Sequence, residues 1–82
     1  MKYEIRIKPR ALKDGKKIPK QELARIFDKI QELENNLAGD VKHLTDFYPE
    51  YRLRVGNYRI LFEIEGKNVV VYRIRHRKDI YR

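Results

Sequence analysis

An α+β sandwich, with two N-terminal helices on one face of an antiparallel sheet, is predicted by three features of this 82-residue sequence. An alternating apolar segment opens the chain, an amphipathic stripe follows, and the last third alternates arginine with apolar residues. The element order is β-α-α-β-β-β, with room for a short last strand, and residues 1–82 read as one domain with a single modest core. No repeat, linker or low-complexity segment interrupts it.

Tyr3, Ile5 and Ile7 alternate with Glu4, Arg6 and Lys8, the period of a half-buried strand, and Pro9 ends it. Residues 10–17 carry Ala11 and Leu12 among charges and predict a short helix weakened by Gly15. From Pro19, which suits a first helical turn, Leu23, Ile26, Phe27, Ile30, Leu33 and Leu37 recur at three- and four-residue steps. That stripe marks a second helix facing the core, stopped by Asn35, Asn36 and Gly39. The stretch from there to Pro49, with His43, Phe47 and Tyr48, reads as a loop.

Three strands follow. In Tyr51–Val55, Tyr51, Leu53 and Val55 point one way and Arg52 and Arg54 the other, and Gly56-Asn57 signals a tight hairpin. Along 58–64, Tyr58, Ile60, Phe62 and Ile64 continue the apolar face, opposite Arg59, Leu61 and Glu63. After Glu65-Gly66-Lys67, strict alternation places Val70, Tyr72 and Ile74 on the core side, and Val69, Val71, Arg73 and Arg75 on the arginine side. Leu61, Val69 and Val71 then form an apolar seat on the arginine face for a partner segment.

Charge narrows the partners. From Tyr51 to Arg82, nine lysines and arginines face Glu63, Glu65 and Asp79, a net +6 of the chain's +8. Guanidinium groups gathered on one sheet face suit a polyanion, with nucleic acid the leading candidate over an acidic protein or an anionic membrane. The second helix argues against the membrane, because its polar face mixes Glu22, Asp28, Glu32 and Glu34 with Lys20, Arg25 and Lys29. No segment approaches the roughly 18 apolar residues of a membrane span, and no cysteine offers a disulfide or thiolate site. A soluble, cytoplasmic protein is expected. Neither an acidic cluster nor a histidine pair suggests a metal site, and no cofactor is expected.

The segment Tyr51-Arg52-Leu53-Arg54-Val55-Gly56-Asn57-Tyr58-Arg59-Ile60-Leu61-Phe62-Glu63-Ile64, with His76-Arg77-Lys78-Asp79-Ile80-Tyr81-Arg82, resembles the RelE/ParE superfamily of toxins. Ala11-Leu12-Lys13-Asp14 and Lys16-Lys17-Ile18-Pro19 are similar to that family's opening, so the likeness runs along nearly the whole chain. It implies a RelE-like sandwich and a place in a type II toxin–antitoxin system. RelE-type members cut messenger RNA in the ribosomal A site, whereas ParE-type members poison DNA gyrase. An acidic antitoxin neutralises either kind. The implied partners are this antitoxin and the A site with its 16S ribosomal RNA and message, or gyrase under the alternative.

The resemblance also assigns roles. Arg52, Arg54, Arg59, Arg77 and Tyr81 fall at functional positions of the ribonuclease branch, with Tyr81 as general base and Arg77 as acid or leaving-group stabiliser. Lysine is familiar at the first two positions. Arginine there can stabilise charge but is a poor base, because it hardly loses its proton. Cutting RNA without a metal requires removing a 2′-hydroxyl proton, stabilising a phosphorane and protonating the departing oxygen. A tyrosine with an ordinary pKa of about 10 needs neighbouring guanidinium groups to favour its phenolate. Such a site should be slow on free RNA and rely on the ribosome to order its substrate.

Arg73, Arg75, Lys78 and Arg82 are read as phosphate contacts or surface charge, and His76 as the reserve acid/base. Alternation puts His76 on the core face, where a hydrogen-bonded structural histidine is commoner. The competing reading of Tyr81 is a residue that packs the sheet edge. A third function class is a basic RNA-binding module, or an inactive toxin, without chemistry.

Overall fold

The computed structural model describes residues 2–79, so Tyr81 and Arg82 among the candidate site residues lie outside the described residues. The elements are β1 (Glu4–Ile7), α1 (Pro9–Gly15), α2 (Lys20–Glu32), β2 (Val41–His43), β3 (Tyr51–Val55), β4 (Tyr58–Glu65) and β5 (Asn68–His76). The strands form one sheet in the order β1-β5-β4-β3-β2. Pairing is antiparallel except at one edge, where β1 lies parallel to β5. The α+β class and the two helices are as expected, and the sheet is mostly antiparallel.

The core lies between the helices and one sheet face. Ala11, Ile18, Ile26, Ile30 and Leu33 pack there against Leu53, Val55, Ile60, Phe62, Val69, Val71 and Ile74. The long apolar stripe thus performs its predicted role, although α2 ends at Glu32. Beyond it Asn36 and Leu37 take φ of 55° and 59°, reversing the chain while Leu37 still packs on the core. Among the described residues no helix is long and apolar enough to cross a membrane.

Three expectations are corrected. The stretch read as loop contains β2, whose three residues are too short to show a period. The extra strand therefore lies before the meander and at the far edge, beside β3. Second, β1 does not extend the antiparallel pattern, because the chain leaves it through two helices that cross to the opposite edge of the sheet.

The third correction is one of phase. Leu61 pairs with Arg73 but Phe62 pairs with Val71, leaving Tyr72 as an extra residue in β5. A bulge of one residue reverses the alternation on either side of it. Val69 and Val71 therefore join Ile74 in the core, each 0% exposed, instead of lining the arginine face. Leu61 stays on that face but is covered by Leu44 and Phe47 from the β2–β3 connection. The apolar seat expected at Leu61, Val69 and Val71 does not exist in this fold.

Candidate nucleic-acid interface

The hairpin joining β3 to β4 turns at Gly56, whose φ of 57° suits a residue without a side chain. This tight turn sets the register Arg54↔Arg59, and the β4–β5 pairing adds Arg59↔Arg75. Three guanidinium groups thus form one row across the central strands. Two residues further along, Lys42, Arg52, Leu61 and Arg73 form the next row. Like charges directly opposite one another on a sheet destabilise it unless something anionic offsets them.

Several contacts among the described residues orient or offset these guanidinium groups. Asp40 pairs with Arg54 through Nε at 3.0 Å, with both side chains more than half exposed. The Nη1 group of Arg59 donates to the carbonyls of Gly56 and Tyr58, each at 3.0 Å, so the hairpin backbone orients it. Nη2 of Arg75 donates to the Asp79 carbonyl at 3.3 Å. Arg52 is half-buried, and Arg77 and Lys78 are exposed.

Arg73 is placed differently from the rest. Its Nε and Nη2 donate to Oδ2 and Oδ1 of Asp14 at 2.8 and 3.0 Å, and Oδ2 also accepts the Ile74 N–H at 3.0 Å. Burial works against an ionised Asp14, but hydrogen bonds from Arg73 and Ile74 and the Arg73 and Arg75 charges outweigh it, so its pKa falls below the usual carboxylate range. Arg73 is correspondingly raised, chiefly by its hydrogen bond to Asp14. This arginine ties α1 to β5. No local signal could have shown it, since the partners are 59 residues apart.

At the end of β5 the chain folds against the hairpin. The Arg77 N–H donates to the Asn57 carbonyl at 2.7 Å, placing residue 77 beside the turn that leads into β4 and Arg59. His76 stands edge-on to Tyr58 with ring centroids 5.4 Å apart, and its Nδ1 accepts the Lys78 N–H at 3.2 Å. Tyr58 in turn donates to Glu22 at 3.2 Å. Burial, then the Glu22 charge and hydrogen bond, raise its pKa above the ordinary tyrosine value.

The structure thus brings Arg54, Arg59 and Arg75 into one row, sets Arg52 beside it, holds the backbone of Arg77 at its hairpin end, and turns Arg73 towards α1. Sequence reasoning missed Asp14 and Asp40 as arginine partners. Among the described residues no group of three or more His, Cys, Asp or Glu side chains could hold a metal. The arrangement can grip phosphate oxygens with several guanidinium donors, the geometry Arg favours over Lys.

Two helices over one face of a mostly antiparallel sheet, with arginines ranked across the other, define an α+β sandwich with a basic outer face. Residues 5–81 match the family described as the ParE toxin of type II toxin-antitoxin system, parDE. The chain is 39% identical over 75 residues to Toxin RelE3 of Methanocaldococcus jannaschii, covering 85% of each protein. Among solved structures it resembles the RelB-RelE antitoxin-toxin complex from Methanococcus jannaschii, with TM-score 0.78, 36% identity, and 93% and 94% of the two chains covered. The RelBE2 toxin-antitoxin complex from Mycobacterium tuberculosis gives TM-score 0.80 at 26% identity, covering 93% of this chain and 99% of the other. The chain belongs to the RelE/ParE superfamily of type II toxins.

Proposed function

We propose that this toxin is a ribosome-dependent messenger RNA endonuclease that needs no metal and is held in check in the cytoplasm by an acidic antitoxin. The row Arg54–Arg59–Arg75, with Arg52 beside it, is the observation that carries the reading. A scissile phosphate lying over this row meets donors already oriented by backbone carbonyls at Arg59 and Arg75. Those charges stabilise the phosphorane as its extra negative charge develops. In this reading Arg77 serves the departing 5′-oxygen and Tyr81 takes the 2′-hydroxyl proton, a role that requires guanidinium charge to favour its phenolate. With its Nδ1 committed to the Lys78 amide, His76 acts as a support for the C-terminal turn.

Solved relatives that are complexes with RelB antitoxins support the partner. An acidic segment laid over the arginine rows would both neutralise them and block the message.

Primer extension on a defined message in a purified translation system tests the proposal. Cuts are expected only on ribosome-bound message, and they should disappear with Arg59→Gln and with Tyr81→Phe. Intact message at saturating protein would overturn it. The match to the ParE family favours one second reading, inhibition of DNA gyrase; a supercoiling assay with the same protein separates the two.

A further inference from the structure

The sheet face holds only one of two cationic concentrations. Residues 6–20 carry Arg6, Lys8, Arg10, Lys13, Lys16, Lys17 and Lys20 against Asp14 alone, a net +6 that equals the last third of the chain. Asp14, their one carboxylate, is turned to Arg73 and the Ile74 amide. Among the described residues none of Arg10, Lys13, Lys16, Lys17 and Lys20 forms an ion pair, and all are exposed. The outward side of α1 and of the turn after it is therefore uniformly cationic.

This surface is continuous with the sheet site. β1 pairs with β5 only as far as Val71, so the outer edge of β5 beyond it is covered by α1. Along that edge runs a groove of ≈ 370 Å³ lined by Arg10, Lys13, Asp14, Lys17 and Arg73. It meets a second groove of ≈ 320 Å³ through shared Asp14, Lys17 and Arg73, and the second reaches Arg75 and His76. Asp79 also lines the second groove, opposite Lys17 and Arg75. The path thus leads from the helix cations to one end of the arginine row.

We infer that α1 and the adjoining turn form a backbone track for single-stranded RNA flanking the cut position, gripped by Arg10, Lys13 and Lys17. The inference rests on the nuclease reading and adds a second contact surface to it. An acidic protein fits less well, because protein interfaces centre on apolar, charge-depleted patches, and here the outward helix face offers only Leu12, 49% exposed. A phosphodiester backbone needs the reverse, spaced cations with little apolar surface.

Equilibrium binding of the full chain to ribosome-free single-stranded oligonucleotides, short and long, over a salt series tests the track separately from cleavage. Each cation contributes about 0.7 to the slope of log K against log salt for a single strand. The Lys13→Gln, Lys17→Gln double variant is expected to lower the slope by about 1.4 and to erase the affinity that the longer oligonucleotide gains over the shorter. Both side chains are exposed, and an unchanged melting temperature verifies the fold. Unchanged slope and unchanged length gain would overturn the track, as would selective loss of polyglutamate binding in the same variant, which would assign the surface to an acidic polypeptide. Failure of the nuclease reading shows elsewhere, as ribosome-bound message left intact by the wild-type protein.

Discussion

Asp14 of α1 and Arg73 of β5 form a two-point ion pair at 2.8 and 3.0 Å, and the same carboxylate binds the Ile74 amide. A helix of seven residues is too short to be stable alone. Here it closes the strand edge that β1 leaves uncovered, so one carboxylate substitutes for the missing strand partner. Arg73, which the alternating pattern offers to a nucleic acid, is held by this contact against α1.

The first prediction follows from that contact. Asp14→Asn should cost about 2 kcal/mol, or roughly 10 °C in melting temperature for a domain of this size. Because folding lowers the Asp14 pKa, its stabilisation is complete above the ordinary carboxylate pKa of about 3.9 and fades as pH falls through the lower folded value. Thermal melts should therefore show a constant gap between wild type and variant near neutrality, narrowing in acid below about pH 4. A gap independent of pH down to full protonation would show that the carboxylate charge is immaterial.

Core phase supplies the second. Val71→Ala should destabilise the chain by about 2 kcal/mol in denaturant unfolding, because the bulge buries Val71 completely. Val71→Asp should prevent folding, since it buries an unpaired carboxylate. A folded, near-normal Val71→Asp protein would mean that the strand runs without the bulge.

Arg52 separates function from stability. It lies opposite Lys42 on one side and Leu61 on the other, so its charge opposes the sheet instead of supporting it. Arg52→Gln should leave stability within about 0.5 kcal/mol while ribosome-dependent cleavage falls by about a hundredfold. Comparable activity in wild type and variant would remove Arg52 from the site.

The β2–β3 connection gives the fourth. Tyr48 donates to Tyr72 at 3.2 Å and Tyr72 donates to Glu65 at 3.0 Å, anchoring the segment that covers Leu61. Hydrogen bonds with Tyr48 and Glu65 raise the Tyr72 pKa above the ordinary tyrosine value. Tyr72→Phe should speed amide hydrogen exchange across residues 44–50 while leaving exchange in α2 unchanged. Equal protection in both proteins would show that apolar packing alone holds the segment.

How far the sequence could be read depended on the range of each interaction. The meander, the turn at Gly56 and the stripe of α2 were legible because periods of two and of three to four residues are written locally. The Arg54–Arg59 pairing was nearly legible as well, since a two-residue turn leaves little choice of register. Tyr51 to Val55 behaves as its alternation implies, with Leu53 and Val55 buried and Arg54 exposed.

Tertiary packing decided the remainder. Whether Val69 and Val71 face the core depends on one unpaired residue at Tyr72, which strict alternation cannot register. The parallel seat of β1, the short edge strand β2 and the commitment of Arg73 to Asp14 all join residues distant along the chain. Patterning along a sequence specifies which face of an element is apolar. Which element covers that face, and which charge meets which, is chosen only when the whole sheet closes on its helices.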